Sequence, residues 1–287
     1  MNMKRVRTIG GVVAAGLLLV TLAACTEPEA AASANDAGAS GQAATNRSAP
    51  AQESAIDRVL ESGVLRVGTT GDFQPMTYLD PATDEYQGYY IDIVRDFAAD
   101  MGVEIEWVRT TWQDKVAGIA ADRYDIATGA SYNMGRARQG AFTLPIAVVG
   151  TVPVTLRENA GRFSSWEDMN QPDVTVAVTL GTTFDEQAQV FFPDANLARP
   201  DSGTRDFQEV IAGRADVSIT SNIEAGSLTE RFDNLVIVPV EPRATVPNGM
   251  IVDRSDVEWL NYVNAWITMK QYGGYFDQKA AEYGLTF

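Results

Sequence analysis

Two side chains in this sequence could carry chemistry, a guanidinium able to hold a carboxylate and a carboxyl able to move a proton. Arg136 stands five residues after Ser131, in the loop that follows a predicted strand, and Glu224 sits in the string TSNIEA at 220–225. A planar guanidinium grips a carboxylate through two parallel hydrogen bonds, and nearby hydroxyl and backbone donors complete such a site. A glutamate delivers a proton only where a desolvated pocket raises its pKa; a helix start capped by Asn222 would lower it instead. Gly181-Thr182-Thr183 lies between a predicted strand and a predicted helix, where free N–H groups attract an anion and either threonine also suits a helix cap. Phe73 and Trp112 follow strands and read as core or as flat pocket walls. Asp72 either touches a polar ligand group or caps its turn. Lys115 reads as a solvated helix residue, with a second cation for a dianionic ligand as the alternative.

Composition removes several kinds of chemistry. The chain has no histidine and a single cysteine, so His-dependent triads, His bases, the usual zinc ligand sets and internal disulfides are excluded. No cluster suggests a metal, and no cofactor is expected. The formal net charge of -16 argues against nucleic acid as a partner.

The elements that must position these residues begin after residue 52. Residues 1–24 carry Lys4, Arg5 and Arg7, then an apolar run, then small residues, which is the order of an export signal. LAAC at 22–25 matches the lipobox of bacterial lipoproteins, in which Cys25 is acylated. Residues 25–52 have almost no large apolar side chain and read as a flexible tether. The expected location is extracytoplasmic, anchored to the cell membrane through the lipid. From 53 onward, predicted helices over 56–60, 88–102, 112–122, 205–212 and 257–272 and one after Gly181 alternate with strands. The strands are expected over 64–68, 103–108, 124–127, 152–156, 174–178, 216–219, 235–240 and 250–252. This is an α/β pattern that restarts after Pro145. It implies two lobes with a ligand cleft between them, over 53–148 plus 247–287 and over 149–246. The crossovers fall near 147–153 and 241–249, with Pro153, Pro242 and Pro247 as stiffeners.

The strings SGVLRVGTTGDFQPMTY, GYYIDIVRDFAADMG, DRYDIATGASYNMGRARQGAFTLP, VTLGTTFDE and GRADVSITSNIEA, in this order and spacing, resemble the amino-acid type of extracytoplasmic solute-binding proteins, the receptors of ABC importers. The resemblance spans 53–287 and implies the type II periplasmic-binding-protein fold. Within that superfamily, SAIDRVLESGVLRVGTTGDFQPMTY, GRFSSWEDMNQPDVT and the pair FQEVIAGRAD with NIEA resemble most the cyclohexadienyl dehydratases. These secreted enzymes convert prephenate or arogenate to phenylpyruvate or phenylalanine.

The resemblance assigns Arg136 to the ligand α-carboxylate, helped by Thr128, Gly129 and Ser131, and makes Phe73 and Trp112 pocket walls; the motif at Thr182 and Thr183 adds the second lobe's donors to the same carboxylate. It also matches Glu224 to the general acid of the dehydratases. Ser221 stands where amino-acid receptors carry the aspartate that receives the ligand ammonium. Either the ligand lacks an α-ammonium, or Glu224, Asp72 or Asp185 substitutes. The expected activity is prephenate dehydration and decarboxylation, with a receptor that passes an amino acid or organic acid to an ABC permease as the alternative. A sensory or adhesion module is a weaker third reading. A monomer is the default state.

Overall fold

Backbone pairing carries the alternation of strands and helices into one mixed sheet. A computed structural model describes residues 53–287; the export signal, Cys25 and the tether lie outside the described residues. In chain order the elements of the first part are α1 (Ala55–Ser62), β1 (Val64–Thr69), β2 (Asp72–Phe73), β3 (Thr77–Asp80), β4 (Glu85–Gln87), α2 (Tyr89–Met101), β5 (Glu104–Arg109), α3 (Lys115–Ala120), β6 (Ile126–Ser131), α4 (Met134–Ala137) and β7 (Gly140–Phe142). Next come β8 (Ala147–Leu156), β9 (Thr175–Ala177), α5 (Thr183–Phe191), β10 (Asn196–Ala198), α6 (Asp206–Ile211), β11 (Val217–Ser221), α7 (Asn222–Arg231) and β12 (Leu235–Ile237). The chain finishes with β13 (Arg243–Asp253), α8 (Val257–Tyr272) and α9 (Tyr275–Glu282).

The sheet runs β10-β9-β11-β8-β13-β6-β1-β5. Its outer parts are parallel: β1 pairs with β5 and β6, and β9 pairs with β10 and β11. β6 and β11 are buried along their whole length, as parallel strands covered on both faces must be. Each outer part carries its own apolar core. One gathers Leu65, Phe97, Ile126 and Trp259; the other gathers Val176, Ala188, Phe192 and Ile219. The result is two lobes.

The middle of the sheet departs from the sequence reading. β8 starts at Ala147 and β13 spans eleven residues, where only 152–156 and 250–252 were expected. Turn-forming Pro247, Asn248 and Gly249 mask β13 in the sequence, but antiparallel partners on both sides, β8 and β6, hold it extended. The crossovers are therefore strands, and Pro153 and Pro247 lie inside them. The β2–β3–β4 sheet and α9 are further additions, built from segments too short for a periodic signal. α3 begins at Lys115 rather than 112, which matters for the site.

Close packing beneath β6 sets the position of the cleft wall. A Cβ on Gly129 would lie 2.1 Å from the Tyr90 ring and 2.7 Å from Asn248 Oδ1. Tyr90 Oη donates to that Asn248 oxygen at 2.6 Å, and Asn248 Nδ2 donates to Ser131 Oγ at 3.3 Å. Gly129→Ala is expected to destabilise the protein by about 1–3 kcal/mol through overpacking, read as a lower urea midpoint with an unchanged slope.

Candidate functional site

β6 ends at Ser131, and Asn133 then caps α4, its Oδ1 accepting from Arg136 N at 2.7 Å. The short helix turns the Arg136 side chain into the cleft. Its Nη1 donates to Ser131 O and to Thr183 Oγ1, each at 3.2 Å, and its Nη2 donates to Gly181 O at 3.0 Å. The residue is 7% exposed and, among the described residues, forms no ion pair. Burial lowers its pKa to about 10, against the opposing field of Glu186, so it remains a cation at neutral pH. A buried guanidinium satisfied only by neutral oxygens attracts an anion. Ser131 fits beside it: because its Oγ already accepts from Asn248, its proton is free to be donated.

Lys115 is fully buried, which corrects the solvated reading. Since α3 starts at this residue, its side chain turns inward beneath Trp112, with Nζ 4.0 Å from the ring centroid. Nζ donates to Thr128 O and Gly129 O at 3.3 Å each. Burial first, then the Arg136 charge, lowers its pKa to about 7.

The Glu224 carboxyl is 3% exposed at the start of α7. The cap of that helix is Ser221, whose Oγ accepts from Glu224 N at 3.0 Å. The expected cap, Asn222, instead accepts from Gly150 N at 2.9 Å. Both Glu224 oxygens lie 2.7 Å from Arg205 Nη2, and Thr220 Oγ1 donates to Oε2. Burial pushes the Glu224 pKa up to about 7; Arg205 opposes this and the Asp206 carboxylate adds to it. Helix-start lowering, expected from sequence, is outweighed.

Arg205 and Asp206 are the residues that sequence reading missed. Periodicity placed Arg205 in the helix over 205–212, but α6 starts at Asp206 and Arg205 precedes it at φ 59°. Its side chain is thereby thrown inward rather than along the helix surface. Nε donates to Thr179 Oγ1 at 3.0 Å, and Nη1 donates to the Asp72 carbonyl. Asp206 is 1% exposed; its Oδ1 accepts from Thr179 Oγ1 at 2.8 Å, while its Oδ2 has no hydrogen-bond partner.

These groups surround a cavity of about 20 Å³. Of the expected residues, Phe73, Trp112, Ser131, Arg136, Thr182, Thr183 and Glu224 line it. Phe73 and Trp112 meet edge to face at 5.8 Å. Thr182 also caps α5, accepting from Asp185 N at 3.2 Å. Thr128, Gly129 and Ser221 do not line the cavity. Thr128 Oγ1 bonds Thr69 Oγ1 at 3.1 Å, Gly129 lies under Tyr90, and Ser221 is committed to its cap. Asp185 is bound by Arg199 through two contacts of 2.7 Å and is not available to a ligand. Asp72 Oδ1 accepts from Trp112 Nε1 at 3.1 Å, and its Oδ2 is 3.8 Å from Arg205 Nη1. Asp206, Thr179, Phe184, Ile219, Thr220 and Asn248 complete the lining with Arg205.

The family model for bacterial extracellular solute-binding proteins, family 3, matches residues 65–285. Cyclohexadienyl dehydratase of Pseudomonas aeruginosa is 36% identical over 234 residues, covering 80% of this chain and 85% of that protein. The L-cystine-binding protein TcyJ of Escherichia coli is 22% identical, covering 78% and 84%. Among solved structures, an ancestral amino acid-binding protein described as a precursor of cyclohexadienyl dehydratase superposes with a TM-score of 0.74 at 31% identity, covering 79% of this chain and 98% of that one. A mutant of ArgBP from T. maritima gives 0.74 at 25% identity, again covering 79% and 98%.

The lowered Lys115 pKa has a measurable consequence. Between pH 7 and 10 the unfolded lysine holds a proton that the folded one has lost, so the unfolded state binds more protons and stability rises with pH. Lys115→Met is expected to remove that rise, at most about 1.4 kcal/mol per pH unit, in urea titrations at pH 6, 8 and 10.

Proposed function

We propose that this chain, which belongs to the bacterial extracellular solute-binding proteins, family 3, binds a cyclohexadienyl acid in its cleft and converts it to an aromatic product. The observation that carries the reading is Glu224, a buried carboxyl with a raised pKa on the wall of the same cavity as the carboxylate-free Arg136 guanidinium. The cavity of about 20 Å³ has room for little more than a water, so the lobes part to admit the acid; Arg136, Ser131 and Thr183 then hold its side-chain carboxylate, and Phe73 and Trp112 flank the ring. Glu224 gives its proton to the ring hydroxyl as the C–O bond breaks and water departs. The electrons of the ring C–CO₂ bond move into the ring, carbon dioxide leaves, and aromatisation drives the step. Arg205 stabilises the resulting Glu224 carboxylate, which regains its proton from water.

Ser221 lies off the cavity, so the absence of an aspartate at that position does not separate prephenate from arogenate. The similarity to cyclohexadienyl dehydratase at 36% identity supports the reading. A non-catalytic receptor of an ABC importer is favoured by one observation, the direct Arg205 contact on both Glu224 oxygens, which stabilises the ionised form. The same proposal includes lipid attachment at Cys25 on the cell membrane, a monomer, and lobe boundaries at 53–148 plus 247–287 and 149–246.

The test incubates protein lacking residues 1–25 with prephenate and, separately, arogenate, following phenylpyruvate and phenylalanine. Turnover is expected to fall as pH rises through about 7, where Glu224 loses its proton. Glu224→Gln should lower kcat by about 100-fold or more. No turnover of either acid, with calorimetric binding of an amino acid, would establish the receptor instead.

A further inference from the structure

We propose that Arg205 is a positioning residue that makes proton uptake by Glu224 depend on closure of the lobes, acting through Asp72 of the facing lobe. This rests on the acid role given to Glu224. Arg205 is 6% exposed and adopts φ 59° and ψ 144°, backbone geometry that a non-glycine residue holds only when its surroundings enforce it. One guanidinium then works on both sides of the cleft. Within its own lobe it lies 2.7 Å from both Glu224 oxygens, 3.0 Å from Thr179 Oγ1 and 3.5 Å from Asp206 Oδ1. Towards the other lobe it donates to the Asp72 carbonyl and lies 3.8 Å from Asp72 Oδ2, an oxygen without a hydrogen-bond partner.

The sign of the coupling follows from what closure brings. With the lobes apart, Asp72 and the Trp112 it holds are withdrawn and water reaches the carboxyl, so Arg205 serves Glu224 and Asp206 alone and favours the ionised glutamate. Closure places a third carboxylate on the same guanidinium and packs Trp112 and Phe73 over the site. Dilution of one positive charge among three carboxylates, together with desolvation, drives Glu224 towards its protonated form. By linkage, protonation then favours closure. The other charged groups facing the cleft are Asp206, which works with Asp72, and Arg136, Lys115 and Glu186. Lys115 is held on the Thr128 and Gly129 carbonyls inside its own lobe, but it titrates in the same range and the Asp72 charge raises its pKa, so Lys115→Met separates its contribution from that of Arg205.

Small-angle X-ray scattering of the ligand-free protein, over roughly one and a half pH units on either side of the Glu224 value of about 7, reads closure directly. The wild type is expected to contract as pH falls, with a midpoint near 7, and Glu224→Gln to stay compact throughout. Asp72→Asn should move the wild-type midpoint to lower pH by about half a unit or more, and should have no such effect in an Arg205→Met background. If Arg205→Met does not melt cooperatively, Arg205→Lys replaces it; its compact ammonium cannot span Glu224 and Asp72, so the Asp72→Asn displacement should shrink at least by half, roughly. Lys115→Met should leave the displacement in place. The proposal is overturned if compaction does not depend on pH, if Glu224→Gln keeps the wild-type transition, or if Asp72→Asn acts equally with and without the Arg205 guanidinium. Absence of turnover with this cycle intact removes only the dehydratase reading; turnover with the cycle absent removes only this one.

Discussion

The site depends on one guanidinium serving more carboxylates than it can fully satisfy. Arg205 touches Glu224, Asp206 and Asp72 in a region from which water is almost wholly excluded, and two of the carboxylate oxygens around it have no hydrogen-bond donor. Leaving an ionised oxygen dry is expensive, so such a cluster tends to hold a proton or to recruit a donor. Elsewhere on the cavity wall Arg136 is buried against neutral carbonyls and a hydroxyl. The cavity wall thus carries a cation without a paired carboxylate at Arg136 and, around Arg205, carboxylates short of donors. That division suits a ligand with an anionic end and a group able to donate or accept a proton at the other.

Rigid support for this polarity comes from the centre of the sheet. Asn248 sits on β13 between β8 and β6, opposite Ala147 on one side and Ser131 on the other. Its amide oxygen takes the Tyr90 hydroxyl, and its amide nitrogen orients Ser131 beside Arg136. One polar side chain on a strand shared by both lobes therefore sets the donor geometry at the carboxylate subsite. Because Gly129 leaves room for Tyr90 beneath it, that network is locked by packing as well as by hydrogen bonds.

Sequence reading succeeded where a local signal coincided with the final environment. The 88–102 segment folds as α2 with Gly102 at its end, since apolar spacing and a left-handed glycine both act within a few residues. Arg136 was expected in a loop after a strand end and lies instead in α4, whose four residues are too few for a periodic signal. Glu224 stood out as a residue, though not in its chemistry: the Ser221 cap is local, whereas its raised pKa comes from tertiary burial, with Asp206 adding to the rise and Arg205 opposing it. Arg205 had no signal, because a helix pattern continues through it and only the left-handed φ takes it out of the helix. Lys115 was misjudged by a start shifted three residues, enough to turn a surface face into a buried one. β13 was hidden by turn-forming residues that pairing on both edges overrides.

The order of the strands also bears on how the chain comes to be folded. β13 lies between β8 and β6, and α8 and α9 pack into the same core as β1 and α2, so the first lobe is assembled from both ends of the described chain. Its Trp259 is fully buried against Phe97, more than 150 positions earlier in sequence. The second lobe draws β9, β10 and β11 and helices α5 to α7 from one uninterrupted stretch. Contacts that close short loops form sooner than those that close long ones. The lobe built in the middle of the chain can therefore reach its native pairing before the last strand emerges, whereas the lobe that holds Arg136 must wait for the C-terminal segment to return.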